Sequence, residues 1–212
     1  MSPRPRKASD DQIFAAAYQI MQRLGPAQWT LADIAAEAGL TAGALVQRFG
    51  SKRELQVALT AKAAGATKNM FAELRAANPS PLDTLRAYGD CIAQMGETPG
   101  AFAHHLAYLQ LDLTDPDLHR HVRAQARSCR SAIRGLLDEA VTLGELEPSL
   151  DPAELARAVE VTLSGSLMTW AFYQEGSAAK WMRHDLEVLL RPFLAGAQAR
   201  RRRSPRVRAG AG

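Results

Sequence analysis

Cysteine is scarce in this chain of 212 residues, which contains only Cys91 and Cys129. Two isolated thiols inside apparent helices are typical of reduced, partly buried cysteines and not of a disulfide framework. No apolar run approaches the roughly 20 residues that a membrane-spanning helix needs, and the basic N-terminus lacks the apolar segment of a secretory signal. We therefore expect a cytoplasmic protein with no membrane-spanning segment.

Recognisable catalytic and metal-binding patterns are also missing. His104 and His105 are adjacent, and His119 and His121 are two residues apart, so neither pair converges on one face of a helix. The motifs H-E-x-x-H, C-x-x-C and G-x-S-x-G and a phosphate-binding glycine loop do not occur. We expect no catalytic residue, no metal site and no cofactor. An enzyme or small-molecule carrier remains an alternative.

Charge is unevenly distributed along the chain. The formal net charge is +4, but residues 1–77 carry +4, residues 78–199 carry −6 and residues 200–212 carry +6. A basic N-terminal region followed by an acidic middle region is typical of a protein that binds a polyanion through one end. Aromatic residues make up only 6% of the chain, and alanine-rich runs recur, which favours helices over sheets.

Residues 30–55 carry the pattern of two short helices joined by a tight turn. Thr30 and Asp33 form a carboxylate variant of the capping box, which predicts a helix start. Gly39 is predicted to end that helix, because glycine reaches left-handed backbone without strain. Thr41 is predicted to begin the next helix. Two helices crossing at such a turn form a helix-turn-helix, whose second helix can enter a DNA major groove.

The same stretch resembles the N-terminal domain of tetracycline-repressor-type (TetR-type) bacterial regulators. The resemblance is carried by Ala35, Ala38, Gly39, Leu40, Thr41, Gly43, Leu45, Phe49, Gly50, Ser51, Lys52 and Leu55. It covers roughly the first third of the chain, and beyond it only the all-helical pattern and the length match. The family usually has a tyrosine that touches the DNA backbone where this chain has Val46, which cannot donate that hydrogen bond.

The second helix of this motif supplies the candidate DNA contacts. Leu45 and Phe49 are expected to face inward, which leaves the other side chains for the groove. Gln47 can pair with adenine, and Arg48 can bond guanine or a phosphate. Hydroxyl and ammonium groups beside helix N-termini can hold phosphates, and the resemblance supports those positions. The predicted base-facing residues are Ala42, Gly43, Ala44, Val46, Gln47 and Arg48, and the predicted phosphate contacts are Thr30, Thr41 and Lys52.

The expected fold is all-α, with a three-helix helix-turn-helix head over residues 9–55 and a long helix that continues to about residue 77. A helical ligand-binding and dimerisation domain is expected over residues 78–198, and residues 1–8 and 199–212 are expected to be disordered basic tails. Residues 159–173 are apolar or small on nearly every face of the predicted helix. Such a helix must be covered on both sides, which predicts a homodimer through the last two helices, with burial inside a monomer as the alternative.

The body is expected to enclose a pocket for a small molecule. Its candidate lining residues mix aromatic, sulfur and polar groups, and they are Tyr88, Met95, His105, Tyr108, Arg127, Met168, Trp170 and Phe172. The resemblance implies a small, often apolar effector there. We therefore predict a repressor that binds a palindromic double-stranded DNA operator as a dimer and is released when ligand makes the helix from Ser51 swing. A constitutive dimeric DNA-binding protein without an inducer is the first alternative.

Overall fold

The computed structural model describes residues 8–96 and 98–195, and within them the chain is helical, which confirms the predicted fold class. One isolated bridge joins Leu146 to Leu194. The α-helices are α1 (Asp10–Gln28), α2 (Leu31–Glu37), α3 (Ala42–Phe49), α4 (Lys52–Ala77), α5 (Pro81–Ala93), α6 (Pro99–Thr114), α7 (Pro116–Thr142), α8 (Pro152–Tyr173) and α9 (Ala178–Leu190), with 3-10 turns at Gln94–Gly96 and Arg191–Phe193. No helix in these residues combines the length and the apolar character needed to span a bilayer.

The helix starts follow the side chains that cap them. Ser9 and Gln12 form a reciprocal capping box at α1, and Thr30 and Asp33 form one at α2. Thr41 Oγ1 accepts from the Ala44 N–H at the start of α3. Ser80 likewise accepts from Asp83 N–H at the start of α5, and Asp151 accepts from two backbone N–H groups at the start of α8. These local bonds satisfy donors that a helix N-terminus otherwise leaves unpaired.

The first helix ends less sharply than its sequence predicts. A Gly-Pro pair such as Gly25-Pro26 ordinarily ends a helix, but one more turn follows a kink here and runs to Gln28. Gly25 has a φ of +68°, which glycine adopts without strain. A Cβ on Gly25 would lie 2.7 Å from His104 Cδ2, so this position also permits α6 to approach closely.

The chain divides into two compact units. Of the described residues, the first unit comprises residues 8–68, 95–96 and 98–128, and the second comprises residues 69–94 and 129–195. The predicted basic tails lie outside the described residues except for Ala8, which is buried in the first unit. The core of the first unit is formed by Ile13, Ala16, Ala17, Ile20, Trp29, Ile34, Ala35, Leu45 and Leu55. Met21, Leu31, Phe49 and Tyr108 are among the partly buried side chains packed against it.

The second unit has its own apolar core. Fully buried side chains from α5, α7, α8 and α9 include Leu85, Ile133, Leu137, Leu163, Met182 and Leu190. Arg75 and Arg86 are among the arginines that form ion pairs within this unit: Arg75 Nη2 lies 2.7 Å from Glu139 Oε1, and Arg86 Nε lies 2.5 Å from Glu187 Oε1. Cys91 and Cys129 are free, half-buried thiols, and burial raises the pKa of each.

Candidate nucleic-acid interface and neighbouring cavity

The turn between α2 and α3 is held by backbone hydrogen bonds around Gly39. Gly39 has a φ of +66°, and the Leu40 N–H donates to the Ala35 carbonyl at 2.8 Å. Leu45 of α3 is fully buried against the head core. Helices α2 and α3 therefore form the predicted helix-turn-helix.

The outer face of α3 is open to solvent within the described chain. Ala44 and Lys52 are half-buried, and Val46 is 49% exposed. A face with this exposure can approach a second macromolecule without any rearrangement of the head core. The other predicted DNA-contacting residues are all exposed, namely Thr30, Thr41, Ala42, Gly43, Gln47 and Arg48.

Arg48 differs from its neighbours because its guanidinium is already bound by residues at the start of α1. Its Nε lies 2.7 Å from Asp10 Oδ1, and its Nη1 donates to the Ala8 carbonyl at 2.7 Å. The guanidinium carbon also lies 6.0 Å from the centroid of the Phe49 ring. Arg48 thus connects the end of α3 to the start of α1, and a base contact from Arg48 would compete with Asp10.

Lys52 is held on the opposite side of the motif, at the start of α4. Its Nζ donates to the Pro26 carbonyl at 2.8 Å and to the Trp29 carbonyl at 2.6 Å. The same atom lies 4.3 Å from the centroid of the Trp29 ring. Burial lowers the pKa of Lys52. An ammonium has three donors, so one N–H of Lys52 remains for an external acceptor such as a phosphate oxygen.

The two predicted threonine contacts have different hydrogen-bonding capacity. The Thr30 hydroxyl donates to Asp33 Oδ2 at 2.7 Å, so its single proton is engaged, and this bond lowers the pKa of Asp33. The Thr41 hydroxyl accepts from Ala44 N–H at 3.2 Å and keeps its proton for an outside acceptor. The first turn of α3 contains no acidic residue, whereas that of α2 contains Asp33. The N-terminus of α3 is therefore the better anion site of the two.

A cavity of about 590 Å³ lies within the first unit, beside the helix-turn-helix. Helices α1, α4, α6 and α7 line it, and Met95 belongs to the 3-10 turn before α6. On α6 the lining residues follow the spacing of a single helix face. Those α6 residues are Ala101, His104, His105, Tyr108 and Asp112. The aromatic and thioether side chains of the lining are Phe14, Tyr18, Met21, Met95 and Tyr108.

The carboxylate, ammonium and imidazole groups of the cavity lining belong to Asp11, Lys62, His104, His105 and Asp112. Lys62 forms an ion pair with Asp11, and its Nζ lies 5.4 Å from the centroid of the Phe14 ring. His104 Nδ1 lies 2.9 Å from the Gln22 carbonyl, and a bond there requires the Nδ1–H form of the ring. Burial raises the pKa of Asp112, and it lowers the pKa of His105 although part of that ring is exposed.

Tyr108 connects the cavity to the core of the head. Its hydroxyl oxygen and Trp29 Nε1 are both buried, and neither has a partner at full hydrogen-bond geometry among the described residues. Burial raises the pKa of Tyr108, while a weaker interaction with the Trp29 side chain lowers it. Tyr108 packs against the core cluster that includes Trp29, and both buried polar atoms are left without a hydrogen-bond partner among the described residues.

The structure brings together only part of the predicted pocket set. Met95, His105 and Tyr108 line the cavity, and Arg127 is exposed on α7. In the second unit, Trp170 is buried with its Nε1 donating to the Gly176 carbonyl at 3.2 Å, and the ring centroid of Tyr88 lies 4.6 Å from that of Phe71. Met168 and Phe172 are exposed on α8. The sequence analysis did not include Phe14, Tyr18 and Asp112 among the cavity-lining candidates. Asp112 could have been found, because it lies four residues after Tyr108 and therefore on the same helix face.

Two helices crossing at Gly39, with an exposed outer face, define a helix-turn-helix protein. The family model described as "Bacterial regulatory proteins, tetR family" matches residues 13–59, and the model described as "Tetracyclin repressor-like, C-terminal domain" matches residues 85–186. The chain belongs to the TetR family of DNA-binding transcriptional regulators, whose members are not enzymes.

Known proteins of this family are similar along most of the chain. The HTH-type transcriptional regulator TtgR of Pseudomonas putida is 26% identical over 191 residues, which are 84% of this chain and 90% of that protein. A TetR transcription regulator from Haloarcula marismortui has a TM-score of 0.71 at 15% identity, covering 87% of this chain and 97% of its own. FadR from Bacillus subtilis, solved with stearoyl-CoA, has a TM-score of 0.62 at 19% identity, with coverages of 85% and 97%.

Proposed function

We propose that this protein is a ligand-responsive repressor, which binds a palindromic operator as a dimer and releases it when an effector occupies the cavity beside the head. The observation that carries this proposal is the position of Tyr108, which lines the cavity and also packs against the core of the helix-turn-helix. A side chain shared in this way lets the occupant of the cavity act directly on the DNA-binding element.

The α3 face would enter the major groove of the operator. Gln47 is exposed and can bond an adenine edge bidentately, while Thr41 and Lys52 each keep one donor for phosphates. Arg48 would contact a base only after its ion pair with Asp10 breaks. A single head offers few base contacts, so specificity requires two heads spaced roughly 34–36 Å apart, or one helical turn of DNA.

The effector would act through Tyr108, Trp29 and Lys52. Tyr108 packs against the head core that contains Trp29, and the Trp29 ring and carbonyl hold the Lys52 ammonium at the start of α4. A ligand that displaces Tyr108 shifts Trp29, and this shift disturbs the ammonium position that meets the DNA backbone. Such a ligand must bind the DNA-free conformation more tightly, since equal affinity for both conformations shifts no population.

Dimerisation would use the exposed apolar stripe of α8. Val161, Gly165, Met168 and Phe172 follow the i, i+4, i+7, i+11 spacing of one helix face, and all are exposed. Phe172 is 79% exposed and Val161 is 65% exposed. Apolar side chains this exposed gain free energy when a second copy covers them. Even a Cβ at Gly165 would meet only open space, so a second helix can approach closely there.

The experiment that tests the proposal begins by selecting bound fragments from random duplex DNA. Compounds that raise the melting temperature of the protein are then added to the protein–operator complex in a gel shift. We expect at least one binder to release the operator, and we expect Tyr108→Phe to weaken that release while leaving operator affinity unchanged. Tyr18→Phe is the matched control, because Tyr18 lines the cavity but is not among the side chains packed against the head core. If every binder leaves the operator bound, the protein is instead a constitutive DNA-binding protein.

A further inference from the structure

The cavity in the first unit contains one carboxylate that lacks a counter-charge. Among residues 8–96 and 98–195, none forms a hydrogen bond or an ion pair with the Asp112 side chain. Asp112 is half-buried, and burial raises its pKa, which means that its charge is poorly solvated. A buried charge without a partner gains free energy when an opposite charge is placed beside it.

The other charged groups of the lining do not compensate Asp112. Lys62 is the only lysine or arginine among the described lining residues, and it is already paired with Asp11 and lies over the Phe14 ring. Burial lowers the pKa of His105, which disfavours the charged form of its ring. The cavity therefore carries one uncompensated negative charge.

The end of α6 adds to this negative potential. Asp112 lies two residues before Thr114, where α6 ends. The last carbonyls of a helix carry a partial negative charge that favours a cation nearby. A ligand carboxylate or phosphate would meet this potential and Asp112 without a free cation to pair with.

The rest of the lining suits an apolar body. Phe14, Tyr18 and Tyr108 present aromatic rings, and Met21 and Met95 present polarizable thioethers. Aromatic faces attract organic cations as well as hydrocarbon, and Lys62 over Phe14 is an example within this same cavity. The volume of about 590 Å³ lies in the ordinary range for sites that bury a small organic molecule.

We propose that this cavity takes an apolar organic monocation, whose ammonium group lies against Asp112 and whose hydrocarbon body lies among Phe14, Tyr18 and Met95. This assignment rests on the proposed function, because it names the chemical class of the effector for the same site. It excludes anionic and zwitterionic molecules as good ligands.

The test is a calorimetric titration with three probes of matched length. They are 3-phenylpropyl-trimethylammonium, its neutral isostere in which carbon replaces the quaternary nitrogen, and 4-phenylbutyrate. We expect the cation to bind at least about tenfold more tightly than the neutral isostere, and the anion to bind most weakly. Equal binding of the cation and the neutral isostere, or no binding of the cation, overturns the assignment.

Variants locate the charge that selects the cation. Asp112→Asn should remove the preference for the cation and leave the affinity of the neutral isostere unchanged, whereas Asp112→Glu should keep the preference. Asp138→Asn, the same change at an exposed carboxylate of α7, should have no effect. A preference that survives in Asp112→Asn also overturns the assignment.

The outcome for the proposed function is read separately in the operator gel shift. If the cation binds with the expected dependence on Asp112 but leaves the operator bound, the ligand class stands and the switch fails. If the cation does not bind while a neutral or anionic molecule releases the operator, the switch stands and the ligand class fails.

Discussion

The ammonium of Lys52 lies 4.3 Å from the centroid of the Trp29 ring and donates to the Trp29 carbonyl at 2.6 Å. Trp29 is only 1% exposed, so this contact joins the buried core of the head to a cation near its surface. Cation–π contacts of this kind contribute about 0.5–2 kcal/mol. The same lysine can therefore stabilise the fold and couple the position of Trp29 to that of a bound phosphate.

Lys52→Ala should weaken binding to every DNA sequence and reduce the salt slope by about one, because one phosphate contact is lost. The variant should also unfold at a lower temperature, since two carbonyls and the Trp29 ring lose their partner. Fluorescence anisotropy across a salt series measures the first effect, and thermal denaturation measures the second. Lys68→Ala removes an exposed lysine of α4 and is the control for general loss of charge. Identical behaviour of the two variants would contradict this role.

Gln47→Ala should lower the preference for the selected operator over random DNA by about 1–3 kcal/mol, because a bidentate base contact is lost. Its stability should stay unchanged, since Gln47 is exposed. Competition binding with operator and random duplexes measures the preference. An equal loss of affinity for both duplexes would instead indicate that Gln47 contacts the DNA backbone.

Arg48→Ala should reduce both operator preference and stability. The stability loss should be about 0.2–1 kcal/mol, as expected for an exposed ion pair. Asp10→Asn separates the two effects, because it breaks the pair yet leaves Arg48 available for DNA. We expect operator affinity to rise or stay equal in Asp10→Asn. A loss as large as that of Arg48→Ala would mean that the pair positions the head and that Arg48 contacts no base.

Val46→Tyr should strengthen binding to all DNA sequences, because it restores the hydrogen-bond donor that the family usually places here. Val46 is 49% exposed, so the larger side chain fits without repacking the core. A neutral hydrogen bond contributes about 0.5–1.5 kcal/mol, or roughly a two- to twelvefold change in affinity. Val46→Phe is the control, since it adds the ring without the hydroxyl. Equal gains from both variants would attribute the effect to ring contact alone.

Phe172→Glu, placed on the exposed α8 stripe, should prevent formation of the proposed dimer and abolish tight operator binding. A charge buried in an apolar interface loses its hydration without gaining a partner. Light scattering after gel filtration measures the oligomeric state, and circular dichroism checks that the helices persist. Leu113→Glu changes an exposed leucine of α6 and is the control. A Phe172→Glu protein that remains dimeric would place the interface elsewhere.

Acid should destabilise the first unit through Asp115. Hydrogen bonds from Arg53 at 2.6 and 2.8 Å lower the pKa of Asp115 below its usual value. A depressed carboxyl pKa contributes stability above the unfolded-state value of about 3.9, and this contribution is lost as the pH falls through the folded-state pKa. Asp115→Asn should therefore flatten the decline of melting temperature below about pH 4. An unchanged decline would exclude this pair as a source of acid sensitivity.

Much of the head could be predicted from sequence because its determinants are local. The capping box of Thr30 and Asp33 spans four residues, and the left-handed turn at Gly39 depends on a single residue. The boundaries of α4, α7 and α8 likewise follow from prolines and caps beside them. In each case the deciding interaction forms between neighbours in the chain.

The tertiary structure alone decided which distant groups meet. Arg48 reaches Asp10 across the head, Arg53 reaches Asp115 across 62 residues, and Asp112 shares a cavity with Phe14. The local pattern around each residue is compatible with several partners, because ion pairs and cavity walls depend on how whole helices pack. The amino-acid sequence thus determined the helices and the class of protein, while helix packing determined the cavity and the partners of its charges.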